Sequence, residues 1–145
     1  MDGVRFSILV VDDDEDDREI IDEAFKEIGY EAEVKKFIDG VYMMRYLEKI
    51  QPSLYPSLIV LDSTLVKEDA INILSALKQD DRYQGIPVIV YSTSISPQKR
   101  KLLMEMGAYS CIEKGSIMSE IIEVAKKLKD LAEANIKEPN PNGHA

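Results

Sequence analysis

Residues 6–13 read Phe-Ser-Ile-Leu-Val-Val-Asp-Asp, an apolar run that ends in two adjacent carboxylates. A second run of this kind, residues 58–61 (Leu-Ile-Val-Leu), ends in Asp62, and a third, residues 87–91, ends in Ser92. Runs with so few polar positions are typical of strands that are buried on both faces of a parallel sheet. The three runs therefore predict a parallel β-sheet with helices on both sides.

Helical patterns lie between these strand patterns. Residues 14–28 carry apolar side chains at helical spacing, and Gly29 follows as a signal for the end of a helix. The other predicted elements are strands over 33–38 and 110–113, and helices over 40–50, after a loop over 63–69, over 97–107 and over 116–134. Five strand–helix repeats predict an α/β fold, a doubly wound five-stranded parallel sheet with strand order 2-1-3-4-5.

The same periodicity predicts which side chains of each helix face the core. In the second helix we expect Val41, Met44 and Leu47 to point inward, and in the last helix Ile117 and Ile121.

The chain length predicts one domain. The protein has 145 residues and a mass of 16.4 kDa, which leaves no room for two ordinary domains. We assign residues 1–134 to this domain and expect residues 135–145, rich in Asn and Pro, to be disordered. The single cysteine, Cys111, excludes an internal disulfide and favours a reducing cytoplasm. Neither a membrane-spanning run nor a signal peptide is present, so we expect a cytoplasmic protein that does not bind membranes.

The charge is strongly negative and concentrated in one segment. The net charge is −9, and residues 12–23 hold nine acidic side chains against one base, Arg18. That segment alone carries −8, since nine acids minus one base leave eight charges, and the rest of the chain carries −1. A protein this acidic is a poor candidate for nucleic-acid binding through a basic surface. The local acidity needs a local explanation.

The predicted topology brings the strand ends together. The carboxyl ends of parallel strands meet at one edge of a sheet, and ligands bind there at the point where the strand order reverses. Asp12, Asp13, Asp62, Ser92 and Lys114 follow the first, third, fourth and fifth strands. Clustered carboxylates repel unless a cation lies among them, and hard oxygen ligands suit Mg²⁺. A carboxylate can also act as a nucleophile toward phosphorus and form an aspartyl phosphate.

These motifs together resemble one family. The sequence has an acidic pair at the end of residues 10–13 (Val-Val-Asp-Asp), an Asp at the end of 58–62, a Ser at the end of 88–92 and a Lys at the end of 107–114. Receiver domains have an acidic pair, an acceptor Asp, a Ser or Thr, and a Lys in this same order. The sequence therefore resembles the receiver domains of bacterial response regulators, the CheY-like family, from Phe6 to Leu128. The resemblance implies the stand-alone type, since no output domain follows the last predicted helix.

The resemblance implies a role for each site residue. Asp62 is the expected phosphorylation site, and Ser92 and Lys114 are expected to contact the phosphoryl group. The expected Mg²⁺ ligands are Asp12, Asp13, Asp62 and the backbone carbonyl of Thr64. Such a protein is not an enzyme beyond catalysing its own phosphorylation and dephosphorylation.

The resemblance also implies partners. A sensor histidine kinase or a phosphotransfer protein would supply the phosphoryl group. A downstream target protein would dock on the fourth helix, fifth strand and fifth helix, and a homodimer is compatible with this behaviour.

The sequence departs from the family at four positions. Val66 and Gly115 stand where the family has proline, Ala70 stands where it often has glycine, and Cys111 replaces an aromatic residue. A cis bond before a non-proline residue costs about 2.5–4 kcal/mol, so we expect the Lys114–Gly115 bond to be trans. These departures favour a second hypothesis, a degenerate receiver that acts as a scaffold or dimerisation module without phosphorylation. The acidic pocket opposes that hypothesis.

Simpler interpretations remain for single residues. Each acid of residues 13–16 is compatible with a helix N-cap or dipole role, Ser92 with a loop hydroxyl and Lys114 with a solvated side chain. Cys111 is interpreted as a small buried hydrophobic residue.

Two other functional classes fit poorly. An EF-hand loop beginning at Asp12 would need glycine at its sixth position, where the chain has Asp17. A phosphatase of the haloacid dehalogenase type would need an Asp-x-Asp motif followed by Thr or Val, and a further acid pair after the lysine.

Overall fold

The computed structural model describes residues 7–30, 33–62 and 70–137. Strands and helices alternate along the chain, and a short 3₁₀ turn precedes the third strand. The elements are β1 (Ser7–Val11), α1 (Glu15–Glu27), β2 (Glu33–Phe37), α2 (Gly40–Lys49), the 3₁₀ turn (Pro52–Leu54), β3 (Leu58–Leu61), α3 (Ala70–Gln79), β4 (Val88–Ser92), α4 (Pro97–Glu105), β5 (Ser110–Glu113) and α5 (Met118–Lys137).

The five strands form one parallel sheet in the order β2-β1-β3-β4-β5. The predicted fold class and strand order are therefore confirmed. In register, Val11 of β1 lies opposite Leu61 of β3, Leu61 lies opposite Val90 of β4, and Val90 lies opposite Cys111 of β5. This register aligns the carboxyl ends of the four strands along one edge of the sheet.

The core has two layers, one on each face of the sheet. One layer packs α2, α3 and α4 against the sheet, and the other packs α1 and α5. Successive residues of the central strands alternate between the layers, so Leu9 and Val11 belong to the first and Ile8 and Val10 to the second. A strand with a layer on each side must be apolar at every position, which explains the uninterrupted runs in the sequence.

The helix ends follow local sequence signals. Asp14 caps α1, its side chain accepting a hydrogen bond from the backbone N–H of Asp17 at 3.0 Å. Gly29 adopts φ = +73° just after α1, which confirms its predicted role at the helix end. Ser96 caps α4, and Pro97 occupies the first turn of that helix.

Some predicted positions are wrong. Val41 is 45% exposed, whereas Met43 is fully buried. Met43 and Leu47 are four residues apart and share one helix face, but Val41 precedes Leu47 by six residues, which turns it to another side. Ile117 is exposed because it precedes α5 and only its carbonyl joins the helix, accepting from the N–H of Ile121 at 3.2 Å.

The element bounds also differ slightly from the prediction. Helix α5 starts at Met118 and continues to Lys137, three residues past the predicted domain boundary. The rest of the predicted disordered tail lies outside the described residues. Strand β2 ends at Phe37, and β4 includes Ser92. Within the described part of the chain, no helix has both the length and the apolar composition needed to cross a bilayer.

Candidate functional site

Three carboxylates meet where the first and third strands end. Asp12 and Asp13 follow β1, and Asp62 follows β3. The backbone holds the two strand ends together, because the N–H of Asp62 donates to the carbonyl of Val11 at 3.0 Å. One carboxylate oxygen from each of the three acids lies within 4.8 Å of the others. The structure thus brings together the acidic residues that the sequence predicted.

The three acids differ in their exposure to water. Asp12 and Asp62 are buried, whereas Asp13 is exposed. Burial raises the pKa of Asp12 to about 6, although the hydrogen bond from Lys114 acts in the opposite direction. The negative charge of Asp62 adds to the rise. The pocket therefore carries more negative charge than it can easily hold without a cation.

Lys114 supplies a positive charge to this pocket. Its Nζ lies 2.8 Å from Oδ2 of Asp12, 2.8 Å from Oδ2 of Asp17 and 3.4 Å from Oδ2 of Asp62. Burial by itself lowers the pKa of Lys114, but the hydrogen bonds to Asp12 and Asp17 outweigh burial and raise it above its ordinary value. The backbone N–H of Lys114 donates to the carbonyl of Ser92 at 2.8 Å, which fixes the lysine at the end of β5.

Sequence reasoning missed Asp17 as a member of this cluster. The sequence allows a helix-cap role for the acids of residues 13–16 and indicates no role for Asp17, which lies in the first turn of α1. Its contact with Lys114 joins residues 97 positions apart. No local pattern indicates such a pair, although an unusually acidic helix start near a predicted lysine was a possible signal.

The turn between β1 and α1 is held by hydrogen bonds. Oδ1 of Asp12 accepts from the N–H of Asp14 at 3.0 Å. The carbonyl of Asp12 accepts from Nη1 of Arg18 at 2.6 Å. Arg18, the one basic residue among residues 12–23, therefore stabilises the backbone conformation that presents the carboxylate of Asp12.

Ser92 lies at the end of β4, beside β3, and is fully buried. Its hydroxyl has no hydrogen-bond partner among the described residues. A buried hydroxyl without a partner is costly in a folded protein and often marks a functional position. The predicted carbonyl ligand Thr64 lies outside the described residues, as does Val66.

The loop from β5 to α5 explains why glycine occupies position 115. No cis peptide bond occurs in the described ranges, so the Lys114–Gly115 bond is trans as predicted. A Cβ atom at Gly115 would lie 2.5 Å from Cβ of Glu120. Oε1 of Glu120 accepts hydrogen bonds from the N–H groups of Ser116 at 2.7 Å and Ile117 at 3.4 Å. Because Gly115 has no side chain, Glu120 can lie close to the loop and accept these hydrogen bonds at the start of α5.

A cavity of about 230 Å³ opens beside the acidic pocket. Asp17 and Lys114 border it together with Tyr91 and the loop that starts α5. Nζ of Lys114 lies 5.6 Å from the centroid of the Tyr91 ring. Both members of the Asp17–Lys114 ion pair therefore face space outside the buried pocket.

The donor set suits a hard divalent cation. Three carboxylates at one point, of which one is exposed, match the oxygen ligands and retained waters that Mg²⁺ prefers. A nearby ammonium group and an unpartnered hydroxyl are the groups that hydrogen-bond to phosphoryl oxygens. The arrangement is chemically suited to place a phosphoryl group on a carboxylate.

Comparison with known proteins supports this assignment at the level of sequence. Residues 8–126 match the response regulator receiver domain family. Over 93 residues, 63% of this chain, the sequence is 32% identical to the probable methanogenesis regulatory protein FilR2 of Methanothrix harundinacea. Over 90 residues, 60% of this chain, it is 33% identical to the response regulator Rcp1 of Synechocystis sp.. The aligned part spans 60% of the length of FilR2 and 61% of that of Rcp1.

Solved structures agree with the fold. The phosphorylated cyanobacterial phytochrome response regulator RcpA has a TM-score of 0.80 and 27% identity, covering 91% of this chain and 96% of its own. The Mn²⁺-bound form of Rcp1 has a TM-score of 0.75 and 24% identity, covering 86% of this chain and 92% of its own. Because the family match extends over most of the chain and the sheet order agrees, this protein belongs to the response regulator receiver domains, the CheY-like signalling domains of two-component systems.

Proposed function

We propose that Asp62 accepts a phosphoryl group from a phosphohistidine of a sensor histidine kinase or a phosphotransfer protein. The convergence of Asp12, Asp13 and Asp62 with Lys114 at one edge of the sheet is the observation that carries this proposal. Similarity to RcpA, which has been solved in a phosphorylated form, supports it. A receiver domain is a signalling domain, and its only chemistry in this proposal is the gain and loss of that group.

The transfer needs a nucleophile and a stabilised phosphoryl group. A carboxylate oxygen of Asp62 attacks phosphorus, the bond from phosphorus to the donor nitrogen breaks, and the imidazole leaves with the electron pair. Lys114 is close enough to Asp62 to pair with a phosphoryl oxygen after the transfer. Mg²⁺ held by Asp12, Asp13 and Asp62, together with the carbonyl of Thr64, would neutralise charge on the transferring group.

Ser92 is proposed to sense the product. Its hydroxyl is buried and lacks a partner among the described residues, and a phosphoryl oxygen on the neighbouring strand end would provide one. Formation of this hydrogen bond would pull the end of β4 toward Asp62. The phosphorylated state would thereby differ in structure from the unphosphorylated one, as a signalling switch requires.

The signal is proposed to leave by protein–protein docking in the cytoplasm. The surface formed by α4, β5 and α5 carries exposed apolar side chains, among them Leu102, Tyr109 and Met118. A downstream target or a second copy of the chain would bind there. Cys111 is a free thiol, which suits the reducing conditions of that compartment.

The first test is intact mass spectrometry after incubation with acetyl phosphate, with and without Mg²⁺. We expect the wild type to gain one phosphoryl group only when Mg²⁺ is present. Asp62→Asn should gain none, and Asp81→Asn, which changes an exposed aspartate between α3 and β4, should behave like the wild type. Labelling of Asp62→Asn at the wild-type level would refute the assignment of the acceptor.

A phosphorylation-independent scaffold is the second candidate function. It is favoured by Cys111, a buried small side chain at the β5 position where the family has an aromatic residue. If neither acetyl phosphate nor a phosphorylated histidine protein labels the folded wild type, this second function replaces the first. Target binding that is equal in the wild type and Asp62→Asn would then be expected.

A further inference from the structure

The ammonium group of Lys114 has no free donor in this structure. An ammonium carries three N–H donors, and Nζ of Lys114 contacts three carboxylates, those of Asp12, Asp17 and Asp62. The two shortest contacts, both 2.8 Å, are to Asp12 and Asp17, and the contact with Asp62 is the longest at 3.4 Å. A phosphoryl oxygen that bonds to this ammonium must therefore displace one of these partners.

The three carboxylates differ in what it costs to release them. The side chain of Asp12 is only 5% exposed, so loss of its ion pair would leave a buried charge without compensation. Asp62 gives up its carboxylate charge when it becomes an acyl phosphate, so the phosphoryl oxygens take over its long contact with the ammonium. The side chain of Asp17 is 36% exposed and borders the cavity beside the pocket, so water can replace the lysine there. Of the two close partners, Asp17 can therefore be released at a lower cost than Asp12.

The backbone of Asp17 is held in place in the first turn of α1. Its backbone N–H is bound to the side chain of Asp14 at 3.0 Å, in the capped first turn of α1. The adjacent Arg18 is tied to the carbonyl of Asp12 at 2.6 Å. The backbone of Asp17 is thus fixed in α1, so a shift of Lys114 toward the acceptor lengthens its contact with Asp17.

We propose that Asp17 is a positioning residue that competes with the phosphoryl group for Lys114 and thereby restrains phosphorylation of Asp62. The inference rests on the proposed function of Asp62. It adds Asp17, which is not among the site residues that the family resemblance implies. In the unphosphorylated protein, Asp17 holds the ammonium on the α1 side of the pocket. During transfer, the ammonium exchanges this carboxylate for a phosphoryl oxygen while the bond to the donor breaks and the leaving group keeps the electron pair.

The test compares three substitutions in the full chain. Asp17→Asn removes the competing charge, Asp17→Glu retains it on a longer arm, and Asp16→Asn removes the same charge from an exposed neighbour in the same helical turn. Each variant and the wild type are incubated with sub-saturating acetyl phosphate and Mg²⁺, and the initial rate of phosphoryl gain is followed by intact mass.

We expect Asp17→Asn to be labelled about two- to fivefold faster than the wild type, the range for loss of a partly exposed ion pair. Asp17→Glu should return the rate to near the wild-type value, and Asp16→Asn should leave it unchanged. An equal gain in Asp17→Asn and Asp16→Asn would show a general charge effect, and a gain retained in Asp17→Glu would show a packing effect. Either result overturns the inference and leaves the role of Asp62 intact.

Failure of the proposed function gives a different pattern. If the folded wild type and all three variants take up no phosphoryl group from acetyl phosphate or from phosphohistidine, Asp62 is not an acceptor. The inference about Asp17 then falls with the proposed function.

Discussion

The hydroxyl groups of Tyr30, Tyr83 and Ser92 are buried and lack a hydrogen-bond partner within the described part of the chain. Each one forgoes the hydrogen bonds it would make with water, which works against folding. Tyr30 and Tyr83 belong to opposite core layers, whereas Ser92 lies at the strand end nearest the acidic pocket. Of these three hydroxyl groups, that of Ser92 lies at the edge of the sheet where the acidic residues follow β1 and β3.

Removal of the Ser92 hydroxyl should affect the response to phosphorylation without lowering the free energy of unfolding. Because Ser92→Ala deletes an unsatisfied buried group, we expect its free energy of unfolding to equal that of the wild type or to exceed it by up to about 1 kcal/mol. We expect phosphorylation to stabilise the wild type more than the variant. Urea unfolding with and without acetyl phosphate and Mg²⁺ measures both quantities, and a loss of several kcal/mol without phosphorylation would refute this interpretation of the hydroxyl.

Tyr30 predicts a dependence of stability on alkaline pH. Burial, with a smaller contribution from the charge of Glu133, raises the pKa of Tyr30 from 10.0 to about 12. The folded state thus binds this proton more tightly than the unfolded state, so its contribution is complete below pH 10 and is lost as pH rises toward 12. The loss amounts to about 2–3 kcal/mol.

We expect Tyr30→Phe to remain folded to higher pH than the wild type and to match its stability at pH 7. Circular dichroism during a base titration measures the midpoint. Tyr42→Phe is the control, since that side chain is half exposed and should leave the midpoint unchanged. Equal midpoints for wild type and Tyr30→Phe would contradict the prediction.

At the scale of elements, the loop between β5 and α5 depends on the absence of a side chain at Gly115, the position where the family has proline. A Cβ at position 115 would meet Cβ of Glu120 at 2.5 Å, and Glu120 provides the hydrogen bonds that start α5. Gly115→Ala should therefore cost about 1–3 kcal/mol of stability, because the loop or the helix start must move. Chemical denaturation of Gly115→Ala and of the control Gly85→Ala, where an added Cβ meets nothing within 4 Å, tests this. Similar free energies of unfolding for the two variants would contradict it.

Sequence reasoning succeeded for strand β3, all four residues of which are buried. Its apolar run, residues 58–61, lies between Ser57 and Asp62, and these polar neighbours fix the predicted bounds. Strand β5 also has the predicted bounds, although only Cys111 of its four residues is buried. The prediction that Val41 is buried failed, because α2 has more apolar residues than its narrow buried face can hold. The pairing of Asp17 with Lys114 was beyond reach because it depends on the side-chain geometry of two elements that are distant in sequence.

At the scale of the whole molecule, the strand order gave the position of the candidate site. The sequence predicted that Asp12, Asp13, Asp62 and Lys114 share an edge of the sheet, and the structure places them together. That success follows from the topology, since parallel strands must end on the same side. The roles proposed for these residues remain predictions until phosphorylation is measured.

The concentrated negative charge predicts a specific response to cations. Ions that screen charge should stabilise the protein weakly, whereas a cation bound by the three carboxylates stabilises it further by mass action, about 2.7 kcal/mol at one hundred times the dissociation constant. We therefore expect MgCl₂ to raise the melting temperature more than NaCl at matched ionic strength. In Asp13→Asn the two salts should have equal effects, as measured by calorimetry. An equal response of the wild type to both salts would argue against a metal site.

The packing of α5 against α1 joins the two ends of the described chain in one core layer. During translation α1 is synthesised early, and α5 is the last of the described elements. The apolar side chains of Ile21, Ala24 and Phe25 therefore stay exposed to solvent until α5 has been synthesised. The other layer, formed by α2, α3 and α4, can assemble before that. The nascent protein therefore passes through a stage in which one core layer is packed and the other exposes apolar surface. At that stage a chaperone would bind it, and truncated products would aggregate.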